Sequence, residues 1–290
     1  MPYAPTKNTT TSPRLPKWAR GGLSSLGCLV PWGGRLCGAL LNRFRTPERY
    51  EQGLVLVLPG IESESFLNHS VVWGLADGGW QGATELEDWT TSCTLLFLYH
   101  LRGGRRNAVQ AQRIADRIVA YQDQYPGRPV HLIGHSGGGA LTILILEALP
   151  AGRQVTSAIL LAAAIAPNYP LQTALSKTER GVWNFWSPLD WFFLGAGTLV
   201  FGTLDGQLRC SAGMIGFQEP TDLSEAEQLA YRERLHQERY SPQMARTFNL
   251  GGHFGCTNRA FVETWIAPLL TQRSDPEIVV DRSAITTPSE

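Results

Sequence analysis

The 290-residue chain has no cysteine framework. Its five cysteines, Cys28, Cys37, Cys93, Cys210 and Cys256, are odd in number, widely spaced and without a CxxC pair. That pattern argues against a zinc site or a disulfide scaffold and fits a mostly reducing, cytoplasmic setting. Net charge is also missing: 25 Lys+Arg balance 25 Asp+Glu. A neutral chain offers no overall field to draw in nucleic acid or an anionic membrane, so no nucleic-acid partner is expected. No apolar run reaches the roughly 18 residues of an ordinary membrane span. The nearest approach, Gly22 to Leu41, is interrupted by Pro31, Gly33, Gly34 and Arg35. Within it, Ser25-Leu26-Gly27-Cys28 matches part of a lipoprotein cleavage box. Ser25 stands where Leu is usual, and the apolar stretch before it is too short for a signal core, so export is only an alternative.

What the chain does have is apolar bulk, 43% of residues, enough for one large core. Residues 1–46 read as a separate basic and apolar arm, partly disordered, with Lys17, Arg20, Arg35, Arg43 and Arg45 and no acid before Glu48. Such an arm would either pack on the domain or, through residues 17–45, rest weakly on a membrane surface. Residues 47–275 read as the catalytic domain and 276–290 as a flexible tail.

Within the domain, apolar runs alternate with amphipathic ones. Leu54 to Leu58, Cys93 to Tyr99, Val130 to Ile133, Val155 to Ala164 and Val182 to Trp186 read as buried strands. A helix is expected over Asn107 to Gln124, where Ala111, Ile114, Ala115 and Ile118 follow the 3.6 period. An apolar helix follows at Gly137 to Leu149, a charged one near 224–240, and a last one at Asn258 to Leu270. Strands separated by helices imply an α/β fold, with a mostly parallel central sheet and helices on both faces.

The chemistry concentrates at Gly134-His135-Ser136-Gly137-Gly138. A lone GxSxG is weak, but here it joins a buried strand to an apolar helix. A serine on such a strained turn projects its oxygen above the sheet, and flanking glycines remove side chains that would collide there. The helix that follows turns its amide-rich end toward developing negative charge. Acyl transfer also needs oxyanion donors. The Gly137 amide is one candidate, and the Ile61 amide, in the turn Pro59-Gly60-Ile61, is the second. Of six histidines, His253, in the glycine loop Leu250 to Gly255 before the last helix, is the candidate base. His236, in the charged helix, reads as solvated. The candidate acid is Asp190, after the strand Val182 to Trp186. Asp205, after a strand-like Thr198 to Leu204, is its rival. The long stretch between acid and base implies an insertion before the catalytic histidine, about 191–246, which would form a lid or pocket wall.

The elbow, the order Ser136, Asp190, His253 and the Leu58-Pro59-Gly60-Ile61 turn resemble the α/β-hydrolase superfamily, nearest its bacterial esterase and lipase-like members. The likeness covers roughly residues 50–272. It implies an eight-stranded sheet, a Ser-His-Asp triad, no metal or organic cofactor, and hydrolysis of a carboxylic ester. The chain departs from many esterases in carrying Pro59-Gly60 where they have His-Gly. Trp183, Phe185, Trp186, Trp191, Phe192 and Phe193 crowd the proposed acid, which suggests an apolar small-molecule substrate, although part of that set would serve as core. A peptidase, thioesterase or acyltransferase on the same fold, or a non-catalytic hydrolase-like binding protein, are the alternatives.

Overall fold

The computed structural model describes residues 15–27, 31–91 and 96–271. Cys28 of the partial lipoprotein box, residues 93–95 of the Cys93 to Tyr99 run and the expected tail 276–290 lie outside the described residues.

Six strands form one sheet: β1 (Leu54–Leu58), β2 (Ala83–Leu86), β3 (Val130–His135), β4 (Ser157–Leu161), β5 (Val182–Trp186) and β6 (Leu235–Arg239), in spatial order β2-β1-β3-β4-β5-β6. Every pairing is parallel. Among the described residues the sheet has six strands rather than the eight that the resemblance implies.

Parallel strands need covered faces, and alternation along each strand supplies both. Leu54, Leu56 and Leu58 meet α3 (Gly104–Gln124) and α4 (Gly137–Ala148) through Ile114, Ile118, Leu141 and Ile145. Val55 and Val57 face the other way, toward Val71, Val72 and Leu75 of α2 (Phe66–Asp77), and Phe261 and Ile266 of α6 (259–271). Each such fully buried side chain contributes about 1.5–3 kcal/mol. The helix α5 (Glu225–Arg234) leads into β6.

The arm is represented by α1 (Lys17–Gly27) and a 3-10 stretch, Pro31–Phe44. The Arg20 guanidinium pairs with Asp77 of α2 and Glu263 of α6, and Asn258 Nδ2 donates to the Gly21 carbonyl at 3.0 Å. These bonds hold α1 against α2 and α6, with Trp18, Leu23 and Leu26 left exposed. No helix among the described residues is long and apolar enough to cross a membrane.

Four expectations are corrected. Phe97–Arg102 is helical, so Cys93 to Tyr99 is not the second strand; that strand is Ala83–Leu86, whose Glu85 is paired by Arg117 and by the Tyr50 hydroxyl at 2.8 Å. Thr198–Phe201 is a helical turn, not a strand. The charged helix ends at Arg234, and Leu235–Arg239 is a strand paired with β5, so residues 235–239 of the expected 191–246 insertion belong to the sheet. His236 is therefore not a solvated helix residue: it stands on β6 with its ring stacked on Trp183, centroids 4.3 Å apart.

Register brings the sheet's carboxyl ends level. Leu58 is opposite Gly134, His135 opposite Leu161, and Leu161 opposite Phe185. The turns leaving β1 and β3 thus lie side by side, at the point where strand order reverses. That is where open parallel sheets bind ligands.

Candidate active site

Ser136 follows β3 with φ +53° and ψ −119°, a strained conformation for a residue with a side chain. Sequence and structure supply the compensation. The Ser136 amide donates to Leu161 O at 2.9 Å, and its carbonyl accepts from the amides of Gly139 and Ala164, each at 3.0 Å. The flanking glycines allow the close approach. A Cβ on Gly134 would overlap the Gly138 carbonyl, and one on Gly138 would overlap the carbonyls of Leu58 and Pro59.

His253 lies in a loop that passes through Gly251, at φ +84°. Its Nε2 is 3.1 Å from Ser136 Oγ, and its Nδ1 is 2.6 Å from Asp190 Oδ2. A carboxylate accepts, so Nδ1 carries the proton and Nε2 presents its lone pair to the serine. All three side chains are buried, Asp190 at 2% exposure and the other two at 7%, so the polar chain is shielded from water. Asp190 is held one turn after β5, its amide donating to Ser187 O at 3.1 Å. Asp205 lies elsewhere: its Oδ1 accepts from the Ala166 amide at 3.1 Å and ties down the loop after β4.

The turn after β1 sits beside the elbow, so a Cβ on Gly137 would lie 3.6 Å from the Ile61 amide nitrogen. The Ile61 backbone thus lies close to that of Gly137, next to Ser136, and a Cβ on Gly60 would overlap the Glu62 carboxylate. Two residues that the sequence did not single out fix this turn. The Trp89 indole donates to Pro59 O at 2.7 Å. His100 Nε2 accepts from the Thr91 amide at 3.0 Å, which leaves Nδ1 to donate to the Ile61 carbonyl at 3.1 Å. Burial lowers the His100 pKa, consistent with a neutral ring in that role. Nothing local in the sequence marks either residue, because both act across 30 or more positions.

The aromatic cluster divides. Phe185 packs edge-on against Phe261 in the core, and Trp183 lies on His236. Phe193 stacks on the His253 ring at 4.8 Å, while Trp191 and Phe192 are exposed at 63% and 61%. A cleft of about 220 Å³ adjoins the His253 loop, lined by Ser25 of α1, Phe248, Leu250 and Phe254 among others. Among the described residues, no group of three or more His, Cys, Asp or Glu side chains could hold a metal ion.

A family model described as the alpha/beta hydrolase family matches residues 55–284, more than half of the chain. Among solved structures, the chain is similar to a dienelactone hydrolase-like promiscuous phosphotriesterase from metagenomic libraries, at 16% identity over 75% of this chain and 85% of that one, with a TM-score of 0.46. It is also similar to a hydrolase of the alpha/beta superfamily from Xanthomonas campestris pv. campestris, at 17% identity over 73% and 96% with a TM-score of 0.37. An acetylxylan esterase matches at 13% identity over 73% and 97%, with a TM-score of 0.38. No curated protein matches the chain.

Proposed function

The chain belongs to the alpha/beta hydrolase family, and on that premise we propose that it is a serine hydrolase cleaving carboxylic esters through Ser136, His253 and Asp190. The observation that carries this reading is the continuous chain from Asp190 Oδ2 through both ring nitrogens of His253 to Ser136 Oγ. His253 Nε2 takes the Ser136 proton as Oγ attacks the ester carbonyl. The negative charge that forms on the carbonyl oxygen is met by the Ile61 and Gly137 amides. Such donors typically contribute about 3–4 kcal/mol each. The alkoxide leaves with the proton from His253, and water then hydrolyses the acyl-enzyme by the same steps. Asp190 holds the tautomer and offsets the imidazolium charge. Phe193 over the base and the exposed Trp191 and Phe192 favour an apolar acyl or alcohol group.

A fluorophosphonate probe is expected to label the wild type and not Ser136→Ala, with kcat on p-nitrophenyl esters falling roughly 10⁴- to 10⁶-fold in the variant. Labelling that persists in the variant overturns the assignment. Rates rising from acetate to longer acyl esters support the apolar pocket, and a strict acetate preference overturns it.

A further inference from the structure

Beneath the proposed base lies a histidine that this scheme does not use. His135 closes β3, immediately before Ser136, and its ring is buried. Its Nε2 is 3.0 Å from the carbonyl oxygen of His253. A carbonyl only accepts, so Nε2 carries a proton and donates. Nδ1 lies 3.7 Å from Glu62 Oε1, within ion-pair range and too long for a direct hydrogen bond. Cys256 Sγ reaches the same His253 carbonyl at 3.5 Å, and the His135 and His253 rings are 4.9 Å apart. The titratable groups facing the His135 ring are thus Glu62 from the turn after β1, Cys256 from the segment before α6, and His253. Burial opposes charge on this ring, yet Cys256 and the Glu62 carboxylate outweigh it and hold His135 well above the ordinary histidine range.

The positions of these residues in the chain give the contacts a function. Glu62 directly follows Ile61, the proposed oxyanion donor. His135 directly precedes the nucleophile, and its acceptor is the backbone of the base. We infer that His135, held by Glu62, is a positioning residue that locks the His253 loop in register with Ser136 and the Ile61 turn. The loop has need of such a tether. Gly251 and Gly252 precede His253 and supply little backbone restraint of their own. A shift of about 1 Å between base and nucleophile is enough to cost about 10²-fold in rate.

This inference rests on the serine-hydrolase reading, and its test separates the two. Steady-state kinetics on a p-nitrophenyl ester and fluorophosphonate labelling rates are measured for wild type, Glu62→Gln, His135→Leu and His135→Gln, with Ser136→Ala as control. The tether requires kcat to fall tenfold or more in Glu62→Gln and His135→Leu, with KM within about threefold. It also requires His135→Gln, whose amide N–H still reaches the His253 carbonyl, to recover most of the loss seen in His135→Leu. Wild-type kcat in Glu62→Gln overturns it, and so does equal loss in both His135 variants tracking their melting temperatures, which marks mere packing. Should His135→Leu fail to fold, Glu62→Gln, altered at a partly exposed turn, decides alone. A wild type that does not react with the probe overturns the hydrolase reading and the tether with it. Normal Ser136-dependent labelling alongside inert Glu62 and His135 substitutions overturns the tether only.

Discussion

At the scale of single residues, two aspartates with similar sequence settings have different work. Each follows a segment that reads as a strand from the sequence and precedes His253, and the sequence ranks Asp190 first with Asp205 as its rival. The fold separates them by reach: Asp190 Oδ2 is 2.6 Å from the His253 ring, whereas Asp205 accepts from the Ala166 amide. Asp190→Asn keeps the shape but can donate to Nδ1, which reverses the tautomer. A fall in kcat of roughly 10⁴-fold is expected. Asp205→Asn loses only a charge at a backbone contact and should stay within about threefold of wild-type kcat. Stopped-flow or steady-state ester hydrolysis on both variants checks this, and the reverse ranking would make Asp205 the acid. The sequence singles out Ser136 and His253 because their settings are local, an elbow between strand and helix and a glycine loop before a helix. The supports His100, Trp89 and His135 were not legible, since their roles depend on partners 30 to 118 positions away.

At the scale of elements, what the sequence revealed depended on how deeply an element is buried. Leu54–Leu58 and Val130–His135 are buried at every position, so apolar runs announce them. Ala83–Leu86 is four residues long and carries Glu85, whose charge is matched by Arg117 from α3. Leu235–Arg239 is only half-buried, lies at the sheet edge and continues the polar pattern of the preceding helix, so its register against β5 could not be read from periodicity. The apolar 198–204 stretch lacks a neighbouring strand and forms a helical turn instead, with Leu199 and Val200 in solvent. The elbow shows the opposite case, in which local pattern and tertiary packing agree. Gly138 lies directly against the carbonyls of Leu58 and Pro59, so its missing side chain is what lets α4 meet the end of β1. Gly138→Ala should therefore destabilise the fold by more than about 2 kcal/mol, seen as a lower urea midpoint. The same change at Gly152, with open space around it, should cost less through contacts and act only through its φ of +77°. Equal midpoints for wild type and Gly138→Ala would show that the elbow can open without loss.

At the scale of the whole molecule, buried and half-buried histidines set opposing limits on stability. His131, inside β3 with Nδ1 on Ser157 Oγ at 2.7 Å, is pushed down to about 3, by burial first and Arg180 second. Burial also lowers His100 and His236. These rings are neutral in the fold but take up protons on unfolding below about pH 6.5. The stability they represent is thus present above that pH and is lost as pH falls. His135 behaves in the opposite sense. Its folded-state pKa is raised, so its stabilisation is complete below about pH 6.5 and drains away as pH rises through the folded value. The four residues together favour the fold most near pH 6.5. Each differential proton tilts the curve by about 1.4 kcal/mol per pH unit. Urea unfolding between pH 5 and 9 should accordingly show decline on both sides. His131→Asn should flatten the acid limb, where one of three contributing rings is lost. Glu62→Gln should make the alkaline limb shallower and leave the acid limb unchanged, because it removes the carboxylate that, together with Cys256, favours the His135 proton. A Glu62→Gln curve parallel to wild type above pH 6.5 would mean that Glu62 does not favour the His135 proton in the folded protein.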